Sequence, residues 1–469
     1  MNRLILMMGL LLLSPNLLAQ NQPQPLRLNE VVDAALRAFP SLLASEQRKQ
    51  VAAGDLQTAQ GGFDTQLKSQ NRWSIIGLYE NQNLDVSFEQ PTALGGTTFF
   101  GGWRRGNGDY PIYDGKAQTA NDGEARIGVN IPLWRNREID RRRASLQQAE
   151  LGQLIANHEY DQALLDLRRQ ASHRYWDWLL AGQRLNTANQ LLKVAEARND
   201  GIKQRVAAGD IPEFEALDNQ RAILERRERQ VQAQRLLEQA AIQLSLYWRD
   251  EDGQPQLPTA ELLPQDFPQQ TPNVEPNYQQ ALQQAQNQRP ELKRLGLQAQ
   301  QTETEYNLQD NQRNPGLDLM VMAANDMGEA KQKLNRDELY MGVNIDFALQ
   351  QRVAGGRAQA AAANLQRLKW ERIAMQDRVN AEVKDVYSAL NAARQRLILS
   401  QQQQQAAQQL EDGERSRFDL GDSTLLFVNL REIAAGDARL QAAEAATSLF
   451  KAHADYQAIV AESLPESQQ

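Results

Sequence analysis

Two long stretches of the chain have the composition of helices, and the first carries a long-period pattern of apolar positions. In the first, Leu164, Leu167, Ala171, Tyr175, Trp178, Gly182, Leu185, Ala188, Leu192 and Ala195 recur in steps of three and four, with Arg, Gln and Asp between them. A stripe that narrow is the seam of a coiled coil rather than of a helix buried all round. Ala, Gln, Glu, Arg and Leu, all good helix formers, dominate here. No proline interrupts the chain between Pro132 and Pro212 or between Pro315 and Pro465. The first stretch predicts a helix from Arg137 to Val206, ~105 Å long at ~1.5 Å per residue, which no compact domain could contain. Shorter helices are predicted at about Asn29 to Gln60, Pro212 to Trp248, Asn277 to Gln312 and Ser423 to Glu462.

Between helices the period changes to two. Ile127, Val129, Ile131 and Leu133 alternate with Arg126, Gly128, Asn130 and Pro132, and Met341, Val343, Ile345, Phe347 and Leu349 alternate with Gly342, Asn344, Asp346 and Ala348. Each run reads as a β-strand with one apolar and one polar face. Leu84, Val86 and Phe88 make an upstream partner for the first, and Leu319 to Asn325 one for the second. The pattern thus predicts a hairpin at about 63–134 and another at about 317–349, four membrane-length strands in all. Residues 63–134 also hold 10 of the 29 aromatics, an enrichment that suits the girdles of a membrane barrel.

The two halves are copies of one plan. Gly128-Val129-Asn130-Ile131 returns as Gly342-Val343-Asn344-Ile345, and Arg205-Val206-Ala207-Ala208-Gly209-Asp210 is echoed by Arg417-Phe418-Asp419-Leu420-Gly421-Asp422. Ala35-Leu36 with Pro40-Ser41-Leu42 has its counterpart in Ala281-Leu282 with Pro290-Glu291-Leu292. Six of the 17 prolines crowd between Pro255 and Pro276, which reads as a linker. The domain plan is a first repeat at 20–249, a Pro-rich linker at 250–276, a second repeat at 277–463 and a short tail at 464–469. Ahead of these, Arg3, the apolar run Leu4 to Leu13 and the small residue Ala19 have the layout of a secretory signal peptide over 1–19.

Composition changes the picture in one respect. With 469 residues, the chain has the length of about three ordinary domains, yet it is 41% hydrophobic with mean hydropathy −0.63. That is too polar for three cores. No run approaches the ~18 apolar residues of a spanning helix. The absence of cysteine excludes a disulfide scaffold, a thiol enzyme and a Cys-ligated metal site, and a net charge of −8 argues against nucleic acid. His158, His173 and His453 are too scattered for a metal or catalytic pattern, and no nucleophile elbow or phosphate loop is present. The reading is of a protein without catalytic residues or cofactor.

Four strands leave edges that lipid does not tolerate, so the sheet must close with other copies of the chain. Two copies would give eight strands, a barrel filled by its own side chains; three give twelve, with room for a pore. The expectation is therefore a mainly α protein with a membrane β segment, a homotrimer whose barrel continues into a helical cylinder. Strand residues Ile127, Val129, Ile131, Leu133, Met341, Val343, Ile345 and Phe347 would face lipid. Arg135, Arg137, Arg141, Arg142 and Arg143, beyond a strand end, either contact lipid phosphates or make a solvated helix start.

The chain resembles the TolC-type outer-membrane efflux protein family over nearly its whole mature length. The resemblance rests on Leu26-Arg27-Leu28-Asn29-Glu30, Ala34-Ala35-Leu36 and Phe39-Pro40-Ser41-Leu42, on Gly128-Val129-Asn130-Ile131-Pro132-Leu133, and on the glycine turns at Gly209 and Gly421. It implies a trimer with a twelve-stranded barrel in the Gram-negative outer membrane and a twelve-helix periplasmic tunnel. It further implies a passive conduit docked to a periplasmic adaptor and an inner-membrane pump of RND or ABC type, serving either efflux or type I secretion. Under this reading the tips Arg205, Gly209, Asp210, Arg417, Gly421 and Asp422 meet the adaptor rather than merely closing helical hairpins. Glu215, Asp218, Asp419 and Asp422 would line the periplasmic aperture as acidic groups, while Leu425-Leu426-Phe427-Val428-Asn429-Leu430 stands where some family members have aspartates, so that Phe427 would constrict by apolar contact instead. The rival class is a periplasmic coiled-coil scaffold or adaptor without a barrel.

Overall fold

The computed structural model describes residues 24–111, 118–268, 277–329 and 337–462. The signal-peptide reading and the tail lie outside them, as does the end of the Pro-rich segment. In chain order the elements are α1 (Leu28–Ala38), α2 (Pro40–Gln60), β1 (Gln66–Ser74), β2 (Asn81–Pro91), β3 (Thr98–Gly108), β4 (Glu124–Pro132), α3 (Arg141–Ala207) and α4 (Glu213–Ser245). They continue with α5 (Tyr278–Gln288), α6 (Pro290–Asn311), β5 (Gly316–Asp326), β6 (Asp337–Asp346), α7 (Arg352–Asp419) and α8 (Leu425–Ile459). The long helices α3 and α7 have 67 and 68 residues.

Two departures from the pattern-based reading have clear causes. Where single helices are predicted at 29–60 and 277–312, the structure has a break in each, at Phe39 (φ −76°, ψ 123°) and Arg289 (φ −58°, ψ 122°). Both residues precede a proline, whose ring disfavours helical backbone in its predecessor, while Pro40 and Pro290 start the next helix in the position where proline is welcome. The second departure is in the sheet, which has six strands in the order β1-β2-β3-β4-β5-β6, all neighbours antiparallel. The first half therefore contributes four strands rather than one hairpin, and the chain has six strands in one sheet where four are predicted. β1 and β3 escape the alternation test because β1 is polar at most positions and β3 carries Gly101, Gly102, Gly106 and Gly108, a residue that weakens strands. Aromatic rings compensate: a Cβ on Gly101 would lie 2.7 Å from Phe88 Cζ, so the ring occupies the space the glycine leaves.

The chain forms two compact units, each drawing on both repeats. One comprises Met1–Arg37, Ala171–Thr271 and Arg396–Ser448; the other comprises Ala38–Gln170, Pro272–Gln395 and Leu449–Gln469. In the first unit the seam of α3 is buried at Ala171, Tyr175, Trp178, Leu192 and Ala195. The Pro-rich segment is no free linker as far as residue 268. Leu263 presses onto Gly182 where a Cβ would stand, Phe267 stacks on Trp176 at 6.2 Å, and Leu26 N–H donates to Leu262 O at 2.8 Å. In the second unit Val379, Val383 and Val386 of α7 pack with Ala281, Ala285, Leu292, Tyr456 and Val460 into one cluster.

Candidate functional site

The two repeat turns lie side by side in the first unit and share one construction. At the end of α3, Gly209 adopts φ +79°, Gly209 N–H donates to Val206 O (3.0 Å) and Asp210 N–H to Arg205 O (2.9 Å). After α7, Gly421 adopts φ +84°, Gly421 N–H donates to Phe418 O (3.0 Å) and Asp422 N–H to Arg417 O (2.8 Å). This pair of bonds closing on a left-handed residue is the Schellman stop, which satisfies carbonyls the helix leaves free. The Arg205 guanidinium sits 5.9 Å from the Phe418 ring centre, and Arg417 donates to Asp422 O at 3.2 Å, so each tip's arginine serves the second turn. Nothing lies within 4 Å of a Cβ built on either glycine. Gly209→Ala and Gly421→Ala are therefore expected to cost only the left-handed backbone penalty, ~1–2 kcal/mol each, read as faster amide exchange confined to residues 204–212 or 416–424.

The other aperture candidates fall into two sets. Asp210, Asp419 and Asp422 are exposed, and Glu215 is half-exposed in the first turn of α4. Asp218 is already neutralised within the chain by Arg221 at 3.1 Å, which weakens its part in an acidic ring. The α4 helix begins at Glu213 with Pro212 preceding it, and Ser423 bonds to the Glu414 carboxylate rather than capping α8. Phe427 is 53% exposed and lies in an apolar patch with Leu426 and Leu430; Phe214 and Leu217 make a similar patch at the start of α4.

Eleven residues beyond Gly421, in the second turn of α8, is a feature the motif search missed. Glu432 is fully buried, and three guanidiniums hold it: Arg198 of α3 through two bonds (3.0 and 2.9 Å), Arg226 of α4 (2.8 Å) and Arg415 of α7 (3.3 Å). Asn429 Oδ1 accepts from Arg198 and Arg226, and Arg226 also donates to Leu191 O at 2.7 Å. Arg415 and Arg439 converge on a second buried acid, Glu411. Burial pulls the Arg198 guanidinium below its ordinary value against the opposing pull of Glu432, and burial pushes the Glu411 carboxyl up against Arg439 and Arg415. Four helices are thus pinned by one charge network. Its signal was present in the spacing: Leu425, Val428, Glu432 and Ala435 step by three and four along the buried face of α8, so Glu432 is a charge on a seam.

In the second unit the strand register sorts side chains onto two faces. The rows Leu67–Phe88–Gly101–Ile127–Ala323–Leu339 and Phe99–Val129–Val321–Met341 belong to one face, with Ile131, Leu319 and Val343 beside them. Ile127 is 65% and Met341 69% exposed there. Ile345 closes this row on β6, while Leu133 and Phe347 lie just beyond the strand ends. The opposite face is charged and internally paired: Lys68 to Glu89 at 2.6 Å, Arg126 to Asp85 at 2.6 Å and Arg104 to Glu124 at 2.5 Å. Of the arginine cluster, Arg135 pairs with Asp346 at 2.5 Å and Arg143 donates to the carbonyls of Asn136, Arg137 and Glu138, leaving the Arg137, Arg141 and Arg142 residues exposed. Among the described residues no acidic or histidine cluster could hold a metal ion, and no helix is long and apolar enough to cross a membrane.

Residues 94–248 match the family model of the outer membrane efflux protein. No curated protein sequence matches the chain. Among solved structures, the outer-membrane channel OprN is 15% identical, with a TM-score of 0.67 over 92% of this chain and 89% of that one. The Campylobacter jejuni outer-membrane channel CmeC is 13% identical, with a TM-score of 0.65 over 94% of this chain and 87% of its own. The Neisseria gonorrhoeae outer-membrane channel MtrE, in its open state, is 16% identical, with a TM-score of 0.64 over 92% of this chain and 89% of its own. Likeness at such identities is a likeness of fold, and the family match covers residues 94–248. The chain has the fold of outer-membrane channels, and its residues 94–248 are similar to the outer membrane efflux protein family.

Proposed function

We propose that the protein is the outer-membrane channel of a tripartite export system, a homotrimeric and passive conduit whose energy comes from an inner-membrane pump. The observation that carries this reading is the six-stranded sheet with one face apolar and exposed and the other lined by ion pairs. A soluble coiled-coil scaffold has no use for such a face, whereas a barrel wall needs both. On this reading Ile127, Val129, Ile131, Leu133, Met341, Val343, Ile345 and Phe347 meet lipid in the Gram-negative outer membrane. Recovery of the full-length protein as a heat-modifiable outer-membrane trimer is the expected result; recovery as a soluble periplasmic monomer would overturn the proposal.

The paired tips are the adaptor-docking element of this reading. Arg205, Gly209, Asp210, Arg417, Gly421 and Asp422 present two matched turns on one surface. Around them Glu215, Asp419, Asp422 and the apolar patch at Phe427 line the entrance. The left-handed glycines are poor sites for a probe, since a cysteine there would strain the turn. Exposed Ala208 and Leu420 are better, and the natural absence of cysteine makes labelling clean. Ala208→Cys and Leu420→Cys are expected to crosslink a periplasmic adaptor of hairpin type in whole cells, while a cysteine in the middle of α3 does not. Crosslinking from neither tip would remove the docking role and leave the conduit intact.

A further inference from the structure

The ends of the six-stranded sheet identify the partner surface and the size of the barrel. β1 and β6 have 9 and 10 residues, the length a tilted strand needs to cross a bilayer, ~9–11 residues. Each has one neighbour within the chain and so one free row of N–H and C=O groups. The apolar face reaches both edges, through Leu67 and Trp73 on β1 and through Leu339, Met341, Val343 and Ile345 on β6. Hydrocarbon leaves no such row unpaired. The five antiparallel pairings make β1 and β6 run in opposite directions, so β6 of one copy meets β1 of the next with antiparallel polarity, in a ring of any number of copies.

The inward side of the two edges is complementary in charge. β1 presents Lys68 and Arg72 there, and β6 presents Glu338 and Asp346. Lys68 is taken by Glu89 and Asp346 by Arg135. Arg72 is exposed and has no ion-pair partner among the described residues, and Glu338 is exposed and meets the Tyr340 hydroxyl. Arg72 is near the end of β1 and Glu338 near the start of β6, which antiparallel pairing brings to the same rim. We infer that the β1 edge of one copy pairs with the β6 edge of a second copy, with Arg72 facing Glu338 across each seam, and that three copies close a barrel of eighteen strands. The inference rests on the outer-membrane homotrimer proposed above. With strands ~4.8 Å apart and tilted ~40°, eighteen give a backbone radius of about 18 Å where twelve give about 12 Å. Barrels of that strand number leave an aqueous channel, so the outer-membrane end is wide and the charged face, paired within each chain, is its lining.

The test uses the full-length, naturally cysteine-free protein in outer membranes. Arg72→Cys with Glu338→Cys, and Arg72→Cys with Tyr340→Cys to cover a register slip of two, are oxidised and run denatured without reductant. The expected result for one of these pairs is a ladder at two and three times the chain mass, lost on reduction and absent from each single variant. The reporter of a twelve-stranded alternative is Asn107→Cys with Leu339→Cys, which links copies if β3 is the edge and the β1–β2 hairpin lies outside the barrel. Crosslinking there and at neither β1 pair overturns the inference, as does a ladder that stops at two chains, or a membrane trimer that none of the pairs links. A soluble monomer would instead overturn the channel reading itself. Independently, Arg72→Glu is expected to lower the heat resistance of the trimer and the exchange Arg72→Glu with Glu338→Arg to restore it.

Discussion

Glu432→Ala is expected to destabilise the tip unit by about 3–5 kcal/mol, the cost of stranding buried charge when one partner of a desolvated ion pair is removed. The size follows from what is left behind. Arg226 is 4% exposed, and Arg198 and Arg415 also lose an acceptor when the carboxylate goes. Asn429 Oδ1 alone cannot replace two carboxylate oxygens, and Arg198 Nε is already without a partner. Glu432→Gln, which keeps an acceptor and the side-chain length, should lose less. Replacing Glu432 together with Arg226 and Arg198 by methionine should recover much of the loss, since packed apolar groups often match a buried ion network in stability. Amide exchange over residues 190–230 and 408–440 is the measurement, because it separates the tip from the sheet. Equal protection in Glu432→Ala and the parent would show that helix packing alone holds the four helices together.

This network also shows how far the chain can be read without coordinates. The long helices were legible because a seam repeated over many turns leaves a periodicity that no loop imitates. The glycine turns were legible because Ala208-Gly209-Asp210 and Leu420-Gly421-Asp422 each put the residue that tolerates positive φ directly after a helical run. Phe39 and Arg289 could have been read as breaks from their following prolines alone. β1 was hidden for a different reason. A strand with one wholly polar face whose other face carries only Leu67 and Trp73 as apolar residues has little hydrophobic contrast, so alternation cannot reveal it. The packing of Leu263 on Gly182 was not legible at all, because an irregular segment has no period and its partner is set by the tertiary fold. Glu432 and Arg226 lie between these cases: the seam pattern locates them, but only the geometry shows that they find each other.

Val129→Arg is expected to abolish assembly of the heat-resistant trimer. Val129 lies in the middle of β4, paired with Phe99 on one side and Val321 on the other, with Met341 beyond. An arginine facing lipid near the bilayer midplane costs about 2–4 kcal/mol. In the proposed three-copy ring that cost is borne three times, and neighbouring Phe99, Val321 and Met341 offer the guanidinium no acceptor. The adjacent residue supplies the control, because successive side chains of a strand point to opposite faces. Asn130 is exposed on the charged face, beside Met320 and Thr98. Asn130→Arg should therefore leave the unboiled trimer at its parental mobility and amount in outer-membrane fractions. Unboiled gel mobility and outer-membrane yield check both variants. Equal tolerance of the two arginines would mean that the apolar face does not meet lipid. Loss of the trimer in Val129→Arg alone would tie the apolar face, residue by residue, to the membrane.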